Sequence, residues 1–295
     1  MEEAEIICRE VVRLSPEKLS ARVVLAEILL SQGKYAEGFA YYETWPELAQ
    51  ALGQFSIPSL PFPRWTGEDL TGKSILILPC QGLGDQIQYS RFVPELVRMG
   101  ATVSMIVPPA LAKIFGKLGA DIIPLSGGAR ISAHDYWTFP LSLPNRLGVT
   151  VNSIDGRPYL SVGAQIGSRI GLVWQGNPDH PNDANRSASR EVFADLFDAF
   201  DVLPLGLAET KVSNFAETAA LMETCKLVIS VDTATAHLAG AIGKQCWLVL
   251  PAVEPDWRWM SADRSPWYQS MRIFRQRYPG DWASVLDDII FALAN

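Results

Sequence analysis

The sequence predicts an α/β protein built on parallel sheets, and three observations carry that prediction. Residues 227–231 (LVISV) and 246–250 (CWLVL) are short apolar runs rich in branched side chains, the composition of strands buried on both faces. Between them lie Asp232, two threonines and a run of small helix-compatible residues that stops at Gly243, so residues 227–250 read as a β-turn-α-β unit. The same pattern recurs upstream, where SILIL at 74–78 precedes a glycine turn and a helical stretch, and Thr102–Val107 and Asp121–Pro124 flank a helical pattern at 110–118.

With 295 residues, 48% of them hydrophobic, the chain can bury the cores of two domains and carry an appendage. A net charge of −7 with no block of like charge argues against nucleic-acid or membrane-surface binding, so any phosphate must be met by a few placed groups. No run of about 18 apolar residues is present, and the early Glu2, Glu3 and Glu5 are unlike a signal peptide. The expectation is a cytoplasmic chain with no transmembrane segment and no nucleic-acid partner. Cys8, Cys80, Cys225 and Cys246 are far apart and read as reduced thiols. With three histidines, His134, His180 and His237, and no Asp-x-Asp, no metal site is expected.

Taken in order, residues 4–47 are expected to be helical. A first segment ends at Ser15-Pro16; Leu25, Ile28, Leu29 and then Tyr35, Phe39, Tyr42 recur at helical spacing around Gly33-Lys34, a helix hairpin. Pro16, Ala26 and the Gly-Lys-Tyr turn resemble a tetratricopeptide repeat, in which Gly38 stands for the usual alanine and should weaken its helix slightly. One and a half repeats are too few for a groove, so residues 1–52 are expected to pack on the neighbouring domain. Residues 53–72, with Pro58, Pro61 and Pro63 among Phe55, Phe62 and Trp65, form an extended linker lying on a surface. A first domain covers 73–162, residues 161–168 are the candidate hinge, and a second domain covers 168–295 with strands at 169–174 and near 202–207, helices at 191–200 and 215–224, and a final helix capped by Asp281.

Four stretches carry chemistry-bearing residues. Gln81, Gly82, Gly84 and Asp85 follow the first strand; the glycines let backbone approach a ligand, and Asp85, at or just before a helix running to Met99, is either an N-cap or a functional carboxylate. The loop 175–187 after Trp174 brings Gly176, Asn177 and Arg186, a loop arginine able to pair a phosphate or simply to be solvated. Asp232, Thr233, Thr235 and His237 stand where a helix N-terminus meets a strand's carboxyl end, a natural anion site, although a lone histidine there is as often a hydrogen-bonded core residue. Finally, Arg258 lies among Trp257, Trp259, Trp267 and Tyr268.

Asp-Thr, three residues and His-Leu-Ala at 232–239 resemble the phosphate-end motif of the bacterial heptosyltransferase-like glycosyltransferases of family 9, particularly the branch carrying tetratricopeptide repeats. Gly-Leu-Gly-Asp at 82–85, Tyr136, Trp137 and LSLPNRLG at 141–148, and the 171–187 stretch agree with that resemblance, which spans the chain from Gly33 onward. It implies a GT-B fold of two Rossmann-like domains facing a cleft walled in part by 136–148. It also implies inverting, metal-independent transfer of a sugar from a nucleotide-diphosphate donor to a hydroxyl of a glycan or protein. Asp85 would be the general base, and Gln81, Gly82, Gly84, Trp174, Gly176, Asn177, Arg186, Asp232, Thr233, Thr235, His237 and Arg258 would bind substrate. The donor is a substrate and no separate cofactor is implied. Inversion needs one base and no enzyme nucleophile, in keeping with the lack of a Ser-His or Cys-His signature. Cys80 departs from the glutamate usual before this loop in the repeat-bearing branch. A different reading is a catalytically degenerate module that holds a nucleotide sugar or a protein partner. A nucleotide-sugar epimerase would need a Gly-x-Gly-x-x-Gly loop and a Tyr-x-x-x-Lys pair, and the sequence has neither.

Overall fold

The nine strands of the computed structural model, which describes residues 2–125, 131–163 and 167–294, form two sheets in which the strands pair with one another in parallel. The chain groups into two units, one of residues 1–81, 89–112 and 118–154, the other of residues 82–88, 113–117 and 155–295. The sequence boundary expected at 161–168 therefore moves to 154/155, and residues 164–166 of the candidate hinge, like 126–130 of the loop before His134, lie outside the described residues.

The first unit opens with four helices: α1 (Glu2–Leu14), α2 (Leu19–Ser31), α3 (Tyr35–Tyr42) and α4 (Trp45–Ala51). Gly33, at φ 77°, supplies the left-handed residue that ends α2 and lets α3 fold back on it. Leu25, Leu29, Leu30, Tyr35 and Phe39 are all buried between the two. Glu5 ties α1 to this pair by accepting from Lys34 Nζ (2.6 Å), and Arg9 of α1 donates to Glu37 of α3 through Nη1 (2.6 Å). Gly38 corrects its sequence reading: a Cβ there would lie 2.7 Å from Leu30 Cγ and 3.1 Å from Leu30 N, so its bare backbone sets the α2–α3 approach.

The sheet of this unit has the order β3-β2-β1-β4, from β1 (Ser74–Ile77), β2 (Thr102–Val107), β3 (Asp121–Pro124) and β4 (Tyr136–Thr138). Between β1 and β2 run α5 (Leu83–Ser90) and α6 (Val93–Arg98) rather than one helix to Met99. Pro94 lies in the first turn of α6, where its missing N–H costs nothing, whereas in a continuous helix it would remove a bond and clash with the preceding turn. α7 (Pro109–Phe115) joins β2 to β3, and α8 (Leu143–Arg146) follows β4. Tyr136 and Trp137, expected to wall a cleft, are strand residues paired to Ile75 and Leu76, and Trp137 is buried.

The proline linker is held against this sheet. Trp65 N–H donates to Trp137 O (2.7 Å) and Trp137 N–H to Pro63 O (3.0 Å), while Phe55 meets Phe139 edge-on. The helices are fixed through Glu43, whose carboxylate accepts from Arg64 Nη2 (3.2 Å), Ser142 Oγ (3.0 Å) and Asn145 Nδ2 (3.3 Å), with Arg146 at 3.4 Å. The Arg64 guanidinium lies over the rings of Trp137 and Phe139. Gln81, at the end of this unit, has φ 60° and donates from Nε2 to the Tyr42 hydroxyl (2.9 Å).

The second sheet has the order β6-β5-β7-β8-β9, from β5 (Arg169–Val173), β6 (Val202–Pro204), β7 (Cys225–Val231), β8 (Cys246–Leu250) and β9 (Met271–Arg275). Its connections are α9 (Asp183–Arg186), α10 (Ala194–Ala199), α11 (Leu207–Thr210), α12 (Phe215–Glu223) and α13 (Ala234–Ala241), with α14 (Trp282–Ala294) after β9. Asn214 caps α12, its Oδ1 accepting from Ala216 and Glu217 N–H at 3.1 Å, and Gly243 at φ 76° ends the turn after α13. Ile170, Leu172, Ile229, Val249, Phe193 and Ile289 belong to one core on one face of the sheet. Among the described residues no helix is long and apolar enough to cross a membrane.

Helix propensity alone would have Gly38→Ala stabilise α3 by about 1 kcal/mol. The contact with Leu30 reverses that expectation: the variant should melt below the parent, as thermal denaturation followed by circular dichroism would register.

Candidate functional site

The loops after β5, β7 and β8 leave neighbouring strands at their carboxyl ends, the edge where parallel sheets bind ligands. They share a unit with residues 82–88, the start of α5.

At the end of β7, Thr233 takes the N-cap position of α13 in extended backbone, φ −147° and ψ 168°. Its hydroxyl lies 3.2 Å from Ser230 Oγ and makes no side-chain cap, so the first N–H groups of α13 are not met by it. Thr235 is half-buried in the first turn. His237 is 3% exposed, with Nδ1 2.9 Å from the Tyr268 hydroxyl and its ring 5.1 Å from that of Trp259. It is a hydrogen-bonded interior histidine. A Cβ on Gly84 would stand 2.7 Å from His237 Cδ2 and 3.5 Å from Ala234 Cα, so this glycine lets the first turn of α5 rest on that of α13.

Asp85 is the third residue of α5, one turn further in than a cap. Its Oδ2 accepts from the Gly82 N–H (3.0 Å), which closes the helix start from within, as the acidic member of a capping box does. Its Oδ1 accepts from Arg258 Nη2 at 2.6 Å. The same guanidinium donates through Nη1 to Asp256 Oδ2 (2.6 Å), lies 5.0 Å from the Trp257 ring, and is 5% exposed. Arg258 is therefore an interior cation shared by two carboxylates. Next to it, Trp259 Nε1–H donates to Asp232 Oδ2 (2.9 Å).

Burial pushes the Asp232 carboxyl above the usual carboxylate range, opposed by the Trp259 hydrogen bond and by Arg258 and Arg186. Burial likewise pushes Asp256 up to about 6, with Arg258 opposing and the Asp232 charge adding to the rise. Asp85, Asp232 and Asp256 thus crowd negative charge around one arginine.

The loop after β5 is braced from within. Arg186 donates to Asp183 Oδ1 (3.1 Å), Asp232 O (2.8 Å) and Asn177 O (3.4 Å), so its guanidinium ties this loop to the end of β7 rather than standing open for a phosphate. Gly176 makes that possible, since a Cβ there would fall 2.6 Å from Arg186 Nη2. Trp174 is a core residue, 6% exposed and edge-on to Phe197. Asn182 Nδ2 donates to Val253 O (3.1 Å) and Glu254 O (2.9 Å), clipping this loop to the one after β8. That second loop carries two non-glycine residues at positive φ, Glu254 and Met260, and Arg275 Nη2 holds it through the carbonyls of Trp259 (2.8 Å) and Met260 (2.7 Å).

The structure thus groups Gly82, Gly84, Asp85, Asp232, Thr233, His237 and Arg258 through short contacts, and Gly176, Asn177 and Arg186 through the adjoining loop. Gln81 sits in the other unit, on Tyr42. Asp256 was missed in the sequence, although its Asp-x-Arg spacing to Arg258 is the signal that would find it; for Asn182, a bracing loop residue, the sequence carries none. Among the described residues no group of three His, Cys, Asp or Glu side chains is placed to hold a metal ion.

The structure matches that of a family 9 glycosyltransferase from Veillonella parvula over 77% of this chain and 98% of the other, with a TM-score of 0.56 at 12% identity. The fold is that of the family 9 glycosyltransferases. Escherichia coli heptosyltransferase WaaC, solved with ADP-2-deoxy-2-fluoro heptose, matches over 75% of this chain and 99% of its own at TM-score 0.51 and 13% identity. E. coli ADP-heptose LPS heptosyltransferase II does so over 75% and 100% at 0.50 and 11%. In sequence, protein FlbA of Caulobacter vibrioides is 26% identical over a 338-residue alignment that takes in 95% of this chain and 56% of FlbA, so the chain spans just over half the length of that relative. No protein-family model matches the sequence.

Two outcomes follow from this geometry. Gly84→Ala drives a methyl into a buried, hydrogen-bonded ring and should lower stability by about 1–3 kcal/mol, read from chemical denaturation. Asp256 keeps its proton in the folded state up to about pH 6, while the unfolded chain loses it near pH 4, so its contribution to stability falls as pH rises through that window. The melting temperature of the parent relative to Asp256→Asn should decline between pH 4 and 6; a difference that grows instead would mean that Arg258 outweighs burial.

Proposed function

We propose that this chain is a glycosyltransferase that moves a sugar from a nucleotide-diphosphate donor to a hydroxyl of a glycan or protein acceptor, with inversion and without a metal ion. The observation that carries this reading is the meeting of Asp85, Arg258 and the N-terminus of α13 in one unit of a family 9 fold. In it, the first N–H groups and dipole of α13, the Thr233 and Thr235 hydroxyls and Arg258 take the diphosphate. Asp85 takes the proton of the acceptor hydroxyl as its oxygen attacks the anomeric carbon, and the bond to the diphosphate breaks with its electron pair leaving on phosphate oxygen. His237 acts through position, holding Tyr268 and backing Gly84. The solved heptosyltransferase carrying an ADP-heptose analogue puts ADP-linked sugars first among donors to test.

A second reading, a module that holds a nucleotide sugar without turnover, is favoured by one observation: both oxygens of Asp85 already accept hydrogen bonds, one of them charge-assisted. Release of nucleoside diphosphate from donor in the presence of acceptor separates the two.

A panel of nucleotide sugars screened by thermal shift should yield one that stabilises the fold by about 2.7 kcal/mol at 100 times its dissociation constant, with or without EDTA. Thr233→Val should weaken that ligand by roughly 10- to 150-fold, a lost hydrogen bond to a charged group being worth about 1.5–3 kcal/mol. Binding abolished by EDTA and restored by magnesium or manganese would count against a metal-independent site.

A further inference from the structure

We infer that Asp85 and the donor's diphosphate compete for one guanidinium, that of Arg258, so that donor binding is what uncovers the base. This rests on the glycosyltransferase reading and adds an order of events to it.

Arg258 is anchored from its own loop. Its backbone N–H and its Nη1 both donate to Asp256, at 3.0 and 2.6 Å, and its guanidinium lies against Trp257, so the side chain is fixed whatever happens on its far edge. On that far edge, Nη2 donates to Asp85, 173 residues away in sequence and 2.6 Å away in space, and this is the edge on which an arriving anion would vie with the carboxylate. Asp85 is fixed too, by the Gly82 N–H and by the seating of Gly84 on α13. The Nη2–Oδ1 bond joins two side chains held from their own loops, so a small rotation of either one exchanges it while both stay tethered.

Charge supplies the reason for it to change. Three carboxylates, Asp85, Asp232 and Asp256, face Arg258, with Arg186 engaged on Asp183 and on backbone carbonyls. A diphosphate arriving at α13 meets repulsion from these carboxylates and finds Arg258 already paired. Moving Nη2 from Asp85 to a phosphate oxygen gives the ligand its cation and leaves the Asp85 Oδ1 bare. The bare oxygen then accepts the acceptor hydroxyl's proton while the C–O bond to the acceptor forms and the anomeric bond to the diphosphate breaks. Without donor, the base stays covered, and the acceptor cannot be activated ahead of it.

Competition has a consequence opposite to that of an ordinary binding residue: deleting the Asp85 charge should strengthen donor-side binding. Isothermal titration of the parent, Asp85→Asn, Arg258→Gln and the double variant with ADP, UDP, GDP and CDP tests it. For the nucleotide the parent binds, Asp85→Asn is expected to bind at least about fivefold tighter, the scale of a modest coupling between sites. Arg258→Gln should bind at least about tenfold weaker, and the gain from Asp85→Asn should shrink to within about twofold in the Arg258→Gln background. Asp85→Ser is the substitute if Asp85→Asn does not fold. Unchanged or weaker binding by a folded Asp85 variant overturns the competition and leaves the glycosyltransferase reading standing. Equal binding by Arg258→Gln overturns it as well, and a parent that binds none of the four removes reading and inference together.

Discussion

A guanidinium with about a twentieth of its surface exposed, held between Asp85 and Asp256, organises the site. Taking the arginine's charge out of water is costly unless it is met, and here two part-buried carboxylates meet it. The surrounding devices serve that constraint. Gly84 brings α5 close enough for Asp85 to reach, Asn182 and Arg275 hold the loop that carries Arg258, and Trp259 satisfies the third carboxylate at Asp232.

The parallel-sheet framework is plain in the sequence where strands are apolar runs, whether buried like β2 and β8 or part-exposed like β3. β2, β3 and β8 fall on the residues expected for them, because a run of apolar branched side chains has few other uses. β4 and β9 escaped notice for different reasons: three residues are too few to show a period, and MRIFR sets two arginines among apolar positions. Pro94 is the sequence signal for the break between α5 and α6, since a proline inside a continuous helix removes a bond and clashes with the preceding turn.

Within the site, residue types could be read and pairings could not. Asp85 and Arg258 each stood out, one as a base and the other as a phosphate ligand, yet nothing in a linear sequence places residues 173 apart in contact. Arg186 reads from the sequence as a phosphate partner or a solvated loop cation, while its partners include two backbone carbonyls, which no side-chain pattern announces. Gly38 illustrates the reverse: propensity made it a small defect, whereas the neighbouring Leu30 makes it the residue that fits.

The hydrogen bond from Trp259 to Asp232 also gives the site an optical reporter. An indole whose N–H points at an ionisable carboxyl emits in a field set by that group's charge, and Trp259 is shut off from water, so solvent does not blur the signal. Eight other tryptophans share the chain, Trp257 and Trp267 edge to face among them, so substitution is the way to isolate the emission of Trp259. Once that is done, fluorescence from a native side chain would follow the electrostatic state of the pocket in real time, with no label attached.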